Sequence, residues 1–261
     1  MGVGAAAARI AAWRPHAAVI YGSGLWAPPE GARIEDEVPY DALGWPAGGV
    51  PGHQNVLRLA TVPVARSRDL RLALACGRPH RYEGWSDEEL ETPVRTLAAA
   101  GVTRVVLTNS SGALRPDAGV GLAVACSTVV DLQRPPAGGE PESLAVCTGA
   151  EAARVAAGLR AAAAPRAGTY VSVCGPQFET PAEVAWLSRF GDVVGMSAAP
   201  EARAAAATGV ECCLLALVAN VAAVVDSHED VLVAGGRLAA LLASGLTAAI
   251  TARWPDLLQA L

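Results

Sequence analysis

The chain has 261 residues, 52% of them hydrophobic and 17% charged, with a formal net charge of −5. That composition supplies ample material for an α/β core and carries no sign of disorder, while an acidic balance without a basic block argues against a nucleic-acid partner. All twenty basic residues are arginines, which excludes a lysine Schiff base or a P-loop lysine.

Met1 to Arg9 lacks a basic leader, and Arg9 and Arg14 interrupt its apolar stretch, so it reads as a short Ala-rich helix rather than a signal peptide. Ala17 to Tyr21 is an apolar strand ending in Gly22-Ser-Gly24. Val56 to Val64 and Leu70 to Cys76 read as successive strands. Glu88 to Ala100 has helical spacing and stops at Gly101, and Arg104 to Thr108 is a buried strand ending in Asn109-Ser-Ser-Gly112. Leu122 to Leu132 suits a strand, Ala150 to Ala164 a helix, and Thr169 to Cys174 a strand ending in Gly175-Pro176. Pro181 to Phe190 is a helix with proline in its first turn, and a second helix spans Pro200 to Thr208. The strand Val210 to Ala219 and a long helix from His228 to Ala249 close the chain. Strands of continuous apolar character alternating with helices predict an α/β fold: one domain over 1–261, with a mixed, mainly parallel twisted sheet flanked by helices. The Pro/Gly-rich stretch Arg134 to Pro141 is too short to mark a domain boundary.

Cysteines 76, 126, 147, 174, 212 and 213 form no CxxC pair and no metal-ligand spacing with histidine, and most lie in apolar runs. This pattern fits a reducing cytoplasm and no metal. The longest apolar run, Cys212 to Val225, is broken by Asn220 and too short to span a bilayer, so no membrane association is expected.

The polar residues that stand out lie at the downstream ends of strands, where ligands bind in open α/β sheets. Gly77-Arg-Pro-His-Arg-Tyr-Glu-Gly84 is the densest: Arg78, His80, Tyr82 and Glu83 follow an apolar strand and are bracketed by glycines. An arginine there suits an oxyanion, because guanidinium matches phosphate or carboxylate geometry. Ser23 lies between two glycines, free to cradle an anion or simply to make a turn. Asn109 and Ser110 end the central strand in the same way. Glu179 precedes Thr180-Pro181, where it also reads as a helix cap. Met196-Ser197 follows Val193-Val-Gly195, and Asn220 is either a ligand contact or a satisfied core amide.

Taken in order, these pieces resemble the trimeric, 6-oxopurine-type purine nucleoside phosphorylases. The resemblance rests on Gly22-Ser-Gly-Leu25, Val50-Pro-Gly-His53, Gly77 to Gly84 and Leu107-Thr-Asn-Ser-Ser-Gly-Ala113. It continues through Gly175-Pro-Gln-Phe-Glu-Thr-Pro-Ala-Glu183, Val194-Gly-Met-Ser197 with Pro200-Glu201, Val218-Ala-Asn220, and Ser227-His-Glu-Asp-Val-Leu232. It implies phosphorolysis of purine nucleosides to free base and ribose 1-phosphate, with inorganic phosphate as co-substrate and no cofactor. The phosphate site would comprise Ser23, His53, Arg78, His80, Ser110 and Ser197. Tyr82, Met196 and His228 would contact the ribose, and Phe178, Glu179, Asn220 and Ser111 the base. Arg78, His80, Glu179 and Asn220 would carry the catalysis, and the assembly would be a cytoplasmic homotrimer.

The chain departs from that pattern in places. Thr108-Asn-Ser-Ser-Gly-Ala113 stands where the family has Thr-Asn-Ala-Ala-Gly-Gly, and Leu132-Gln-Arg-Pro-Pro136 replaces a histidine-containing continuation. The following loop is shorter than in the family, where it supplies an aromatic residue to a neighbouring subunit. Three alternatives stay open: an unusual or modified nucleoside as substrate, a hydrolytic nucleosidase, and a purine-binding protein without turnover.

Overall fold

The computed structural model describes residues 3–64, 69–134, 140–159, 166–224 and 228–257. Its strands are β1 (Ala17–Tyr21), β2 (Arg33–Pro39), β3 (Val56–Val62), β4 (Leu70–Cys76), β5 (Arg104–Ala113), β6 (Ala123–Asp131), β7 (Glu142–Ala145), β8 (Arg166–Ser172), β9 (Val193–Gly195) and β10 (Glu211–Val221). The helices are α1 (Val3–Trp13), α2 (Tyr40–Leu43), α3 (Asp87–Ala99), α4 (Gly149–Gly158), α5 (Pro181–Leu187), α6 (Ala199–Thr208) and α7 (His228–Arg253), with one 3-10 turn at Arg81–Glu83.

Every strand and helix expected from periodicity is present, with ends set by local chemistry. The Ser86 hydroxyl caps α3 by accepting from the Glu89 N–H, and the Glu89 carboxylate returns the bond to Ser86 N–H. Thr148 with Glu151 and Thr180 with Glu183 do the same for α4 and α5. α5 ends at Leu187 rather than Phe190, and the expected continuation of α4 to Ala164 lies outside the described residues. β2, α2 and β7 were not expected. β2 is an edge strand whose seven residues are exposed except Val38, so it has no apolar alternation to read, and β7 is exposed except for the partly buried Leu144.

The larger correction concerns β5. The sequence ends this strand at Thr108, yet it runs on to Ala113, because β10 pairs with it in parallel from Glu211↔Arg104 to Val221↔Ala113. Asn109 and the two serines are therefore strand residues rather than a loop.

The sheet runs β10-β6-β8-β9-β5-β1-β4-β3-β2, and β10 also pairs with β5, so β5, β10, β6, β8 and β9 close on themselves. Pairing is parallel around β1 (with β4 and β5), between β5 and β10, and along β6-β8-β9. It is antiparallel at β2-β3-β4, β6-β7, and the β5–β9 and β10–β6 seams of the ring. Helices cover both faces. Ile10 of α1, Val94 and Leu97 of α3 and Ala202 of α6 pack on one, and Val155 of α4 with Leu242, Leu246 and Ile250 of α7 pack on the other. α7 is long and apolar enough to cross a membrane by composition, but Leu238, Leu242, Leu246 and Ile250 bury a stripe of it in this core.

α4 and α7 approach closely at two glycines. A Cβ on Gly158 would lie 2.9 Å from the Ala248 carbonyl oxygen, and one on Gly245 would lie 2.9 Å from Leu159 Cα. Gly245→Val is therefore expected to lower stability by about 1–3 kcal/mol, measured as a drop in the denaturation midpoint. Val substituted at Gly236, which has open space around it, serves as the control.

Candidate active site

β4 delivers the chain at Cys76 into Gly77, whose φ of +123° and close approach to the His53 ring exclude a side chain. Arg78 follows and is 2% exposed. Its Nη1 donates to the Thr108 carbonyl at 2.7 Å and to Ser197 Oγ at 3.3 Å, and Nη2 donates to the Ile20 carbonyl at 3.2 Å. Nε lies 2.7 Å from Glu201 Oε1. The sequence reads Arg78 as a cation suited to an oxyanion, and the folded chain already pairs it with Glu201. One N–H on Nη2 is left without a protein partner among the described residues.

His53 stands behind this loop. Its Nδ1 accepts the Arg78 N–H at 2.6 Å, so its proton resides on Nε2, which donates to Ser23 Oγ at 2.7 Å. Burial, reinforced by the neighbouring His80 and Arg78, lowers its pKa to about 3 and keeps the ring neutral. The Ser23 hydroxyl thus accepts from His53 and has its own proton free for a ligand. Ser197 repeats the device: its Oγ accepts from Arg78, its N–H donates to Tyr170 Oη at 3.3 Å, and its carbonyl accepts from Ser172 Oγ at 2.8 Å. The next residue, Ala198, holds a φ of +70° that turns the chain into α6.

His80 and Tyr82 stack with ring centroids 5.0 Å apart. Glu83 fixes the turn that carries them, accepting the His80 N–H at 2.7 Å on one oxygen and the Gly49 N–H at 2.5 Å on the other. Burial opposes its ionisation, but the His80 side chain together with these backbone bonds outweighs it and holds its pKa below the usual range. Burial, then the Glu83 charge, pushes the Tyr82 phenol to about 12, so it acts as a donor. Gly175 leaves room for Met196 to pack beside Tyr82.

On β5, Ser110 Oγ donates to the Ser23 carbonyl at 2.9 Å and Ser111 Oγ to Asn109 Oδ1 at 2.8 Å. Both extra hydroxyls are thereby occupied within the protein. On β10 a bulge between Val218 and Asn220 puts Asn220 opposite Gly112, its Nδ2 making only a 3.4 Å contact to the Val221 carbonyl. Glu179 is released from the capping role the sequence allowed it, because Thr180 and Glu183 form the α5 cap. Burial raises its carboxyl pKa, against a backbone hydrogen bond that lowers it.

Ser23, Arg78, His80, Tyr82, Ser110, Ser111, Phe178, Glu179, Met196, Ser197 and Asn220 line one cavity of about 320 Å³. His53 is the exception among the described site candidates, reaching the cavity only through Ser23. His228 begins α7, but its side chain lies outside the described residues. Sequence reading singled out Asn109 without giving it a role in the site, and it quoted Val50, Pro51, Pro176, Val194 and Val231 of the wall only within motifs. Phe178 and Glu179 also border a wider groove of about 1200 Å³, so the cavity is open at that end. No group of three His, Cys, Asp or Glu side chains suited to a metal ion exists among the described residues.

A model of the phosphorylase superfamily matches residues 50–251. The purine nucleoside phosphorylase of Mycobacterium tuberculosis is 39% identical over 242 residues, covering 87% of each chain. The Bos taurus enzyme of that name is 30% identical, covering 87% of this chain and 85% of its own. A Schistosoma purine nucleoside phosphorylase solved with hypoxanthine superposes with a TM-score of 0.73 over 95% of both chains, at 26% identity. By these matches the chain belongs to the purine nucleoside phosphorylases of the phosphorylase superfamily.

Proposed function

We propose that the enzyme cleaves 6-oxopurine nucleosides of the inosine and guanosine type with inorganic phosphate, releasing free base and ribose 1-phosphate without a cofactor. One observation carries this reading: oxyanion donors and a purine-edge pair, Glu179 and Asn220, line the same cavity.

The phosphate would take the Ser23 and Ser197 hydroxyl protons, the free Nη2 proton of Arg78, His80 and the Ser110 N–H. Mostly neutral donors hold a dianion without quenching its nucleophilicity. A phosphate oxygen attacks C1′ as the C1′–N9 bond breaks and its electron pair passes to the base. The sugar is oxocarbenium-like in the transition state, close to the anion, with Tyr82 donating to or accepting from its hydroxyls and Met196 packing beneath it. Glu179 as a carboxylate accepts the purine N1–H. Asn220 donates to O6 and accepts from N7–H as the departing base is protonated. The open groove beside Phe178 favours a second reading within the same chemistry, a nucleoside whose base carries a substituent. A cytoplasmic homotrimer serving purine salvage belongs to this proposal; the free cysteines support the reducing compartment, and light scattering tests the assembly.

Purified protein with inosine should release hypoxanthine and ribose 1-phosphate only when phosphate is present. Free ribose formed without phosphate would transfer the chain to the nucleosidases, and saturable guanine binding without turnover would make it a binding protein. Asn220→Asp should lower kcat/KM for inosine and raise the adenosine-to-inosine ratio about tenfold or more; an unmoved ratio refutes the base assignment. His53→Ala removes the bond that orients Ser23, and the KM for phosphate should rise about tenfold with that for inosine little changed. Because Glu179 must be ionised and its pKa is raised, kcat/KM for inosine should fall as pH drops through a value above that of an ordinary glutamate. Glu179→Gln should abolish this acid limb in the pH profile.

A further inference from the structure

Seven charged side chains form one network, and Asp87 is its centre. Its Oδ1 pairs with Arg81 Nη2 and accepts from Arg203 Nη2 at 2.7 Å, and its Oδ2 accepts from Arg134 Nε at 2.9 Å with Nη2 at 2.8 Å. Arg203 continues to Asp131 and, at 3.4 Å, to Glu91, which also binds Arg95 at 2.6 Å. Four arginines thus share three carboxylates, and removal of Asp87 leaves three cations facing one another.

Each cation belongs to a different segment of the site. Arg81 lies between His80 and Tyr82, both in the cavity wall. Arg203 is on α6, the helix that follows Ser197 and carries Glu201, the partner of Arg78. Arg134 follows β6 in the connection that departs from the family pattern. Its neighbour Gln133 donates from Nε2 to the Val173 carbonyl at 3.1 Å, on the segment leading to Phe178 and Glu179. Isolated, half-exposed ion pairs contribute little to stability, about 0–1 kcal/mol. A carboxylate that joins three separate segments fixes their relative positions, which matters where misplacements of about 1 Å cost up to 100-fold in rate. Nor does α3 need Asp87 for its N-terminal charge, since Glu88 and Glu89 share that first turn.

We infer that Asp87 is a positioning residue for the nucleoside: through Arg81, Arg134 and Arg203 it sets the ribose-side wall, Tyr82 above all, against the base-side wall. This rests on the phosphorolysis reading for its substrate. The phosphate end has its own anchors, Glu83 on the His80 N–H and Glu201 on Arg78, so the effect should fall on the nucleoside alone.

Steady-state kinetics on Asp87→Asn and Arg81→Gln, with inosine binding by calorimetry alongside, test it. Both variants should raise the KM and the dissociation constant for inosine about tenfold while the KM for phosphate stays within about twofold. The double variant should be no worse than either single one, and Asp87→Glu should recover part of the loss. If Asp87→Asn does not fold, Arg81→Gln decides alone. Equal shifts for inosine and phosphate, or no shift in either variant, overturn the inference. A wild-type protein that binds inosine but does not turn it over would refute phosphorolysis and leave the binding arm to decide. A wild-type protein that does not bind inosine overturns both.

Discussion

The site depends on a buried ion pair. Arg78 and Glu201 are both withdrawn from water, 2.7 Å apart, and the guanidinium spends most of its remaining N–H groups on the end of β1, the middle of β5 and Ser197. One side chain thereby fastens four pieces of chain that are remote in sequence. A pair of this kind is weak as a source of net stability, since desolvation offsets much of the attraction. Breaking it by removing one partner leaves an uncompensated charge and costs about 3–5 kcal/mol. Its value lies in what it holds in place. It also sets the character of the anion pocket, in which a partly neutralised cation is surrounded by hydroxyl and amide donors whose orientations other residues have fixed.

Those orientations follow from donor and acceptor accounting. A serine hydroxyl has one proton, and its direction is open until something donates to its oxygen. Arg78 N–H fixes the tautomer of His53, His53 then donates to Ser23, and the serine proton has only the cavity left to serve. Low local dielectric makes such chains costly to disturb and strong when complete. His53 therefore acts on the cavity through Ser23 without lining it, and it would serve the proposed phosphate site in that way.

The sequence disclosed the parallel centre of the sheet because β1, β4 and the first half of β5 are continuous apolar runs buried on both faces. β2 and β7 escaped because an exposed edge strand needs no apolar face. The second half of β5 escaped for a different reason: Asn109, Ser110 and Ser111 look like a loop, but their backbone is paired with β10 while they line the cavity. Glu179 was ambiguous until Thr180 and Glu183 took the cap. The pairing of Arg78 with Glu201 and the convergence of arginines on Asp87 were not legible, because charges distant in sequence carry no period that would bring them together.

The base end shows how far a single burial term reaches. Glu179 lies in an environment that disfavours its charge, and the protein itself supplies little to offset this. In the proposed complex a 6-oxopurine would bring an N1–H that satisfies the carboxylate, so binding that base would lower the carboxyl pKa and gain from the charge. A 6-aminopurine has an acceptor at N1 and would need the protonated acid. Under the proposed base assignment, selectivity would be linked to the proton on Glu179: the ionised form would read inosine and the neutral form adenosine. The bulge in β10 completes the distinction. It sets Asn220 opposite Gly112 with its Nδ2 held only by a 3.4 Å contact to the Val221 carbonyl, and under the proposed assignment its donor and its acceptor would both serve the purine edge.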